Sequence, residues 1–293
     1  MKPHSRPVEP PPVEAIRKAA VAGKFYPSSP QALRRTVAEL LAQAHLAHSP
    51  SNLFALISPH AGYMYSGGVA AHAYKLLHAR APRIVAVIAP SHFERFPFIS
   101  IFGGRAYATP LGEVPIAQSL VAKLLQSDDL FLSSWHGHCD SGNRAEHAVE
   151  VQLPFLQTAL PDCKLLPIVM GEQSWALCET LGRNLALLAA EHSMLIIASS
   201  DLSHYHSAEE ALQLDQLCMD LLLARDPKRL FAALEQRDCE ACGAGPIVAT
   251  MLAAEQLHAN HIDILCHSHS GVVSGDMNYV VGYLAASISR KLE

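Results

Sequence analysis

Long apolar runs are missing from this 293-residue chain. None reaches the ~20 consecutive apolar residues that a bilayer-crossing helix needs, so no membrane association is expected. Charge is scarce as well: only 17% of residues are Asp, Glu, Lys or Arg, and the formal net charge is −5. Without a basic surface to neutralise a phosphate backbone, no nucleic-acid partner is expected. No disulfide framework is present. The seven cysteines, at 139, 163, 178, 218, 239, 242 and 266, are odd in number and widely spaced, which points to free thiols in a reducing cytoplasm. Residues 1–14 carry five prolines and no apolar core segment, so they resemble neither a signal nor a transit peptide. They are expected to form a flexible arm ahead of one α/β domain spanning 15–293.

Several catalytic signatures are absent too. Gly62, Gly67 and Gly68 lie between a strand and a helix, but no Lys-Ser/Thr pair follows them and the dinucleotide spacing is lacking. No Gly-x-Ser-x-Gly elbow marks a serine hydrolase. Glu146-His147-Ala-Val-Glu150 approaches the zinc-protease pattern without the second histidine four residues on.

What the chain does have is a large apolar fraction, 50%, and 17 histidines. Three short apolar runs end in chemically capable tips: Leu53 to His60, Ile84 to His92, and Met194 through Asp201 to His204. Such runs read as strands buried on both faces. Open parallel sheets bind ligands just beyond the carboxyl ends of such strands. Three tips delivered to one edge make a constellation suited to metal binding or acid–base work.

Around these strands the pattern alternates. Ser29 and Pro30 open a helix with Leu33, Val37, Leu40 and Leu41 on one face. After a glycine-rich loop at 62–68, a second helix is expected over 70–77. Residues 98–102 and 164–170 read as strands, and 116–125, 174–190, 208–224, 227–236 and 246–257 as helices. The last strands are expected at 262–269 and 278–285. Residues 146–160 read as an amphipathic helix kinked at Pro154, which would put His147 and Glu150 on one face. Residues 133–144 form a polar stretch of the length of a lid or binding loop.

Each candidate residue has a chemical use and a plainer structural one. His60 and His92 follow prolines at strand ends, and neutral imidazoles suit Fe, Zn or Cu; either might otherwise be read as a hydrogen-bonded strand terminator. Cys242 precedes an apolar helix opened by Pro246, where a helix dipole favours thiolate; the plainer use is a small buried hydrophobe. Asp201 suits orienting an imidazole, binding a metal or capping a helix. His204 suits proton transfer near neutral pH. His147 and Glu146 read as a pocket wall behind the ligands.

Taken together, the segments Ala20–Pro27, Pro59–Tyr63 with Ser66-Gly67, Pro90–His92, Glu146–Phe155, Ser199–His204 and Cys242–Pro246 resemble the Memo family. The resemblance runs from about residue 19 to the C-terminus. It is strongest to the prokaryotic branch called the B component of the AmmeMemoRadiSam system, which implies AMMECR1-like and radical-SAM proteins as partners. It implies a three-layer α/β/α sandwich around a mixed, mostly parallel sheet, as in LigB-type extradiol dioxygenases. It also implies a metal held by His60, His92 and Cys242, with Asp201 and His204 close by as catalytic groups. The dioxygenases use two histidines and a carboxylate; here a thiolate takes the carboxylate's place. Iron is the expected ion, with copper and zinc as alternatives. The expected activity is redox or dioxygenase-like, on a small-molecule or peptide substrate. The competing expectations are a non-catalytic copper-, iron- or peptide-binding protein, and a metal-dependent amide hydrolase or ligase.

Overall fold

The computed structural model describes residues 9–48, 50, 52–77 and 83–290. The first eight residues of the expected arm lie outside them.

Four strands form the parallel centre of the large sheet: β2 (Asn52–Ser58), β3 (Ile84–Pro90), β8 (Lys164–Met170) and β9 (Met194–Ser199), counting a short β1 (Ile16–Arg17) before them and β4 (Ile99–Ile101), β5 (Ala106–Thr109), β6 (Gly112–Pro115) and β7 (Phe131–Ser133) between β3 and β8. The central strands are built from Ile, Val, Leu and Ala that are buried on both faces, as in parallel sheets covered twice. Their order is β2-β9-β3-β8. Registers Ser58↔Ser199, Ile88↔Ala198 and Pro90↔Met170 bring all four carboxyl ends level. The sheet continues antiparallel through β4 and then β7 on one side. On the other side come β12 (Val280–Arg290) and β11 (His261–His269), both antiparallel, with β10 (His204–His206) on the start of β12.

Helices cover both faces. α8 (Ala244–Gln256) packs on β2, β3 and β9, with α5 (Trp175–Glu191) against it. α2 (Tyr63–Lys75) packs on β2, β11 and β12, with α1 (Pro30–Gln43) and α4 (Leu153–Ala159) beside it. The result is a three-layer α/β/α sandwich around a mixed sheet, as expected. α3 (Gln118–Ser127), α6 (Ala208–Leu223), α7 (Pro227–Gln236) and the single turn α9 (Gly271–Ser274) complete the helices. Local chemistry sets their starts. Ser29 accepts from Ala32 N at 3.4 Å, Ser207 from Glu210 N at 3.2 Å and Asp226 from Arg229 N at 3.0 Å. Among the described residues, no helix is long and apolar enough to cross a membrane.

Three local expectations need correction. α2 starts at Tyr63, not 70. Its glycines are helical, and a Cβ on Gly67 would sit 2.9 Å from Leu40 Cδ1; Gly67 is there to let α1 and α2 approach. Pro154 does not kink a long helix, because it occupies the first turn of the short α4, where its missing N–H costs nothing. Residues 146–149 are not helical, and a 3-10 turn spans 150–152. His147 and Glu150 therefore do not share a helix face. The hairpin β5–β6, with β1 added parallel to β5, forms a small second sheet that its mixed polar sequence did not signal.

The 133–144 stretch is also bound down rather than free. Glu94 accepts from Gly137 N at 2.8 Å, His136 Nδ1 at 2.9 Å and Arg144 at 3.0 Å. His138 is fully buried. Gly137 has φ +72°, and a Cβ there would meet Val169 Cγ1 at 2.4 Å, so no other residue fits that bend.

Candidate metal centre

The level carboxyl ends of β2, β3 and β9 put three loops side by side. His60 comes two residues after β2, His92 two after β3, and Asp201 two after β9. Cys242 arrives from the loop before α8. Its own N–H donates to Asp201 O at 3.1 Å, and Gly243 N donates to Ser200 Oγ at 2.8 Å. The helix start is thereby stitched to the end of β9.

The side chains of His60, His92 and Cys242 converge, with one donor atom from each lying within 4.8 Å of the other two. Cys242 Sγ is 3.2 Å from His60 Nε2. Asp201 N–H also points at that sulfur, at 3.2 Å. His60 is buried, whereas 27% of the His92 side chain is exposed, so the cluster opens to solvent on the His92 side.

Hydrogen bonding fixes which nitrogen each ring presents. Ser199 Oγ gives its single proton to Ala148 O at 2.7 Å. It must therefore accept from His60 Nδ1–H and from Gln152 Nε2, each at 2.8 Å. Gln152 is held in turn by Pro59 O at 3.0 Å and by the Tyr74 hydroxyl at 2.6 Å. The His60 proton thus sits on Nδ1 and leaves Nε2 facing the sulfur. His92 Nδ1 lies 2.9 Å from Glu146 Oε1, and a carboxylate only accepts, so Nδ1–H is fixed there too. Glu146 also accepts from the backbone N–H of His92, His147 and Ala148. Burial opposes its charge, but these donors and the His92 ring lower the carboxyl to about 2.

The electrostatics favour charge separation in the absence of metal. Burial works against the Cys242 thiolate, but His60 and the bond from His92 outweigh it and lower the thiol to about 6. Burial also disfavours a charged His92, yet Cys242 and Glu146 raise it to about 10. His147 stacks on His92 with centroids 4.5 Å apart and meets Phe25 at a tilt, with centroids 4.6 Å apart. Burial and the neighbouring His60 lower it to about 3, so it stays neutral.

The donor set fits a first-row transition ion. Bonds of about 2.0–2.1 Å to nitrogen and about 2.3 Å to sulfur suit donors spaced as these are. Both imidazoles are oriented by outer hydrogen bonds, which is the usual support of metal-binding histidine. Among the described residues, His92, Glu146 and His147 form an overlapping group, and a third lies elsewhere.

Asp201 and His204 are placed differently from the three ligands. Asp201 Oδ1 accepts from His60 N at 2.8 Å, bracing the loop that carries His60. Burial pushes its carboxyl up to about 6. His204 is in none of the clusters of metal-ligating groups. Its Nδ1–H donates to Leu202 O at 2.7 Å, and its backbone N–H to Glu240. Sequence reasoning missed Ser199 and Gln152, which set the His60 ring. It named Glu150 but not its role: the residue is fully buried and pairs with Arg17, the Tyr26 hydroxyl, Ala20 N and Val21 N. Those bonds pin the 17–26 segment, and with it Phe25, against His147. Glu150, Gln152 and Ser199 all lie inside segments singled out for their pattern, but which groups they bond is not written in that pattern.

Comparison with known proteins gives the family. The family model described as Memo-like protein matches residues 17–287. A MEMO1 family protein of Sulfolobus acidocaldarius is 35% identical, covering 92% of this chain and 98% of its own length. One from Methanosarcina mazei is 36% identical, with the same coverage. A crystal structure of an uncharacterized protein from Escherichia coli K12 aligns with a TM-score of 0.54 at 15% identity, over 81% of this chain and all of that one; it supports the fold alone. With a match over nearly the whole chain, the protein belongs to the Memo family.

Proposed function

We propose that the protein binds one transition-metal ion through His60, His92 and Cys242 and is a mononuclear non-haem redox enzyme of dioxygenase-like type, with iron as its ion. The observation carrying this is that two tautomer-locked imidazoles aim Nε2 at a thiol that favours its anion. A bound iron would supply an electron-transfer and substrate-activating centre with positions left open by its three protein ligands. Thiolate in place of carboxylate softens the donor set and shifts its redox potential.

The chain's own residues then divide the work. Ser199 and Glu146 hold the two rings in register. Asp201 fixes the His60 loop and donates its N–H to the sulfur, which tempers the thiolate's charge. His147 is neutral, stacked on His92 and beside the cluster, and walls the site behind the ligands. His204 keeps Nε2 free and acts at the outer edge of the site. A small molecule or peptide segment enters on the exposed His92 side, where Phe93 is half exposed; AMMECR1-like and radical-SAM proteins are the proposed system partners.

One observation favours a second reading. The exposure of His92 would let an ion exchange with solution, as in a copper or iron carrier without turnover. A zinc-dependent amide hydrolase or ligase would use the same three donors with His204 as base.

The test is metal analysis and EPR on protein purified anaerobically, before and after nitric oxide. Near-stoichiometric iron that forms a nitric oxide adduct supports the enzyme reading. Cys242→Ala and His60→Ala should each lose the metal while keeping their circular dichroism. Full occupancy in both variants would overturn the ligand set, and zinc alone would favour the hydrolase.

A further inference from the structure

We infer that His48, His261 and Asp263 form a second divalent-metal site, at the end of the sheet opposite Cys242. β11 begins at His261, which pairs with Ser289 near the end of β12, and Ser289 pairs with Leu53 at the start of β2. These positions mark the amino ends of the parallel strands. The seven residues of β2 separate them from the Cys242 edge, a span of ~23 Å.

The geometry is that of a chelate. His261 and Asp263 are two apart on one strand, so their side chains leave the same face. His48 comes from the connection between α1 and β2 and supplies the third group. His48 Nε2 lies 3.0 Å from Asp263 Oδ2, and His261 Nε2 lies 3.1 Å from Oδ1. One donor atom from each residue is within 4.8 Å of the others.

Hydrogen bonding does not account for this convergence. Among the described residues, Asp263 Oδ2 is buried and has no hydrogen-bond partner, although an imidazole nitrogen is 3.0 Å away. The two atoms approach without the alignment of N–H donating to O. Nor, among the described residues, does a lysine or arginine pair with Asp263. A carboxylate only 15% exposed, flanked by two imidazoles and with a buried oxygen unpaired among the described residues, is a donor set suited to a cation. Two histidines and a carboxylate suit zinc, cobalt or copper. The 57% exposure of His48 leaves a position to water. A bound ion would tie the α1–β2 connection to β11.

Cobalt(II) titration of the full-length, metal-free protein tests this, followed by absorption and calorimetry. Wild type should take two equivalents, only one of which shows a thiolate-to-cobalt charge-transfer band. Asp263→Asn and His261→Gln should each lose the band-free equivalent, or weaken it at least tenfold, and keep the other. Cys242→Ser should do the reverse. Zinc should raise the Tm of Cys242→Ser but not of Cys242→Ser combined with Asp263→Asn. His48→Gln, which changes an exposed side chain, serves where a strand variant fails to fold. Loss of the band with retention of one equivalent would sink the Cys242 centre and leave this site standing. A wild type that binds no more cobalt than Asp263→Asn, His261→Gln and His48→Gln would overturn it.

Discussion

Cys242 shows how one side chain's chemistry is set by what faces it. Six other cysteines are free. Cys163 and Cys178 are raised to about 11 and about 12 by burial. Cys242 is desolvated too, but it meets His60 and His92, and its thiol falls to about 6. In metal-free protein its ionisation should therefore have a midpoint near pH 6, with thiolate above and thiol below. Thiolate absorbance against pH, with Cys242→Ala subtracted, measures it. A midpoint at the ordinary 8.5 would show that the imidazoles do not stabilise the anion. The sequence made Cys242 a candidate through its helix-start position; the depth of the effect comes from two rings that are 182 and 150 residues away in the chain.

At the scale of elements, the site depends on how closely α8 approaches the end of β9. A Cβ on Gly243 would lie 2.4 Å from Ser199 O and 2.7 Å from Ser200 Cβ. Backbone cannot yield as a side-chain tip can, so Gly243→Ala should push Cys242 away from His60. We expect a loss of about 1–3 kcal/mol in stability, as for overpacked cores, and weaker metal binding. Gly68→Ala in α2 is the control, since a Cβ there meets nothing within 4 Å. Unchanged Tm and metal affinity in Gly243→Ala would mean that the helix start is not clamped. The strands and most helices were legible because apolar runs and capping residues are local signals. The hairpin β5–β6, the true start of α2 and the irregular path of 146–149 were not. The start of α2 follows from Leu40 packing on Gly67, the path of 146–149 from Glu146 collecting backbone donors, and the hairpin from pairing with β1, none of which is a local pattern.

Across the whole molecule, buried histidines couple stability to pH. His138 is fully buried and donates Nε2–H to Ser100 O. Burial lowers it to about 3. The unfolded chain takes up this proton near pH 6.5 while the folded protein resists until about 3, so stability falls as pH drops through that window. The slope is about 1.4 kcal/mol per pH unit for one such group. Denaturant unfolding of metal-free protein between pH 6.5 and 4.5 should show it, and His138→Gln should remove about one proton from the slope. An identical slope in that variant would place the acid sensitivity elsewhere. Glu146 acts in the same direction at lower pH: its stabilisation is present above its unfolded value and is lost toward about 2.

By itself the sequence determined the class of fold, since buried strands and amphipathic helices are written in the periodicity of apolar residues. It also determined the residue types available at the strand ends, His60, His92 and Asp201 among them. Only the tertiary structure decided which of these meet. His60, His92 and Cys242 share a centre because three parallel strands end level and α8 starts against β9, while His204 is turned toward Leu202 and Glu240. Tautomer, ionisation and ligand spacing depend on contacts a few ångströms long between residues far apart in the chain, and such contacts exist only once the sheet has formed.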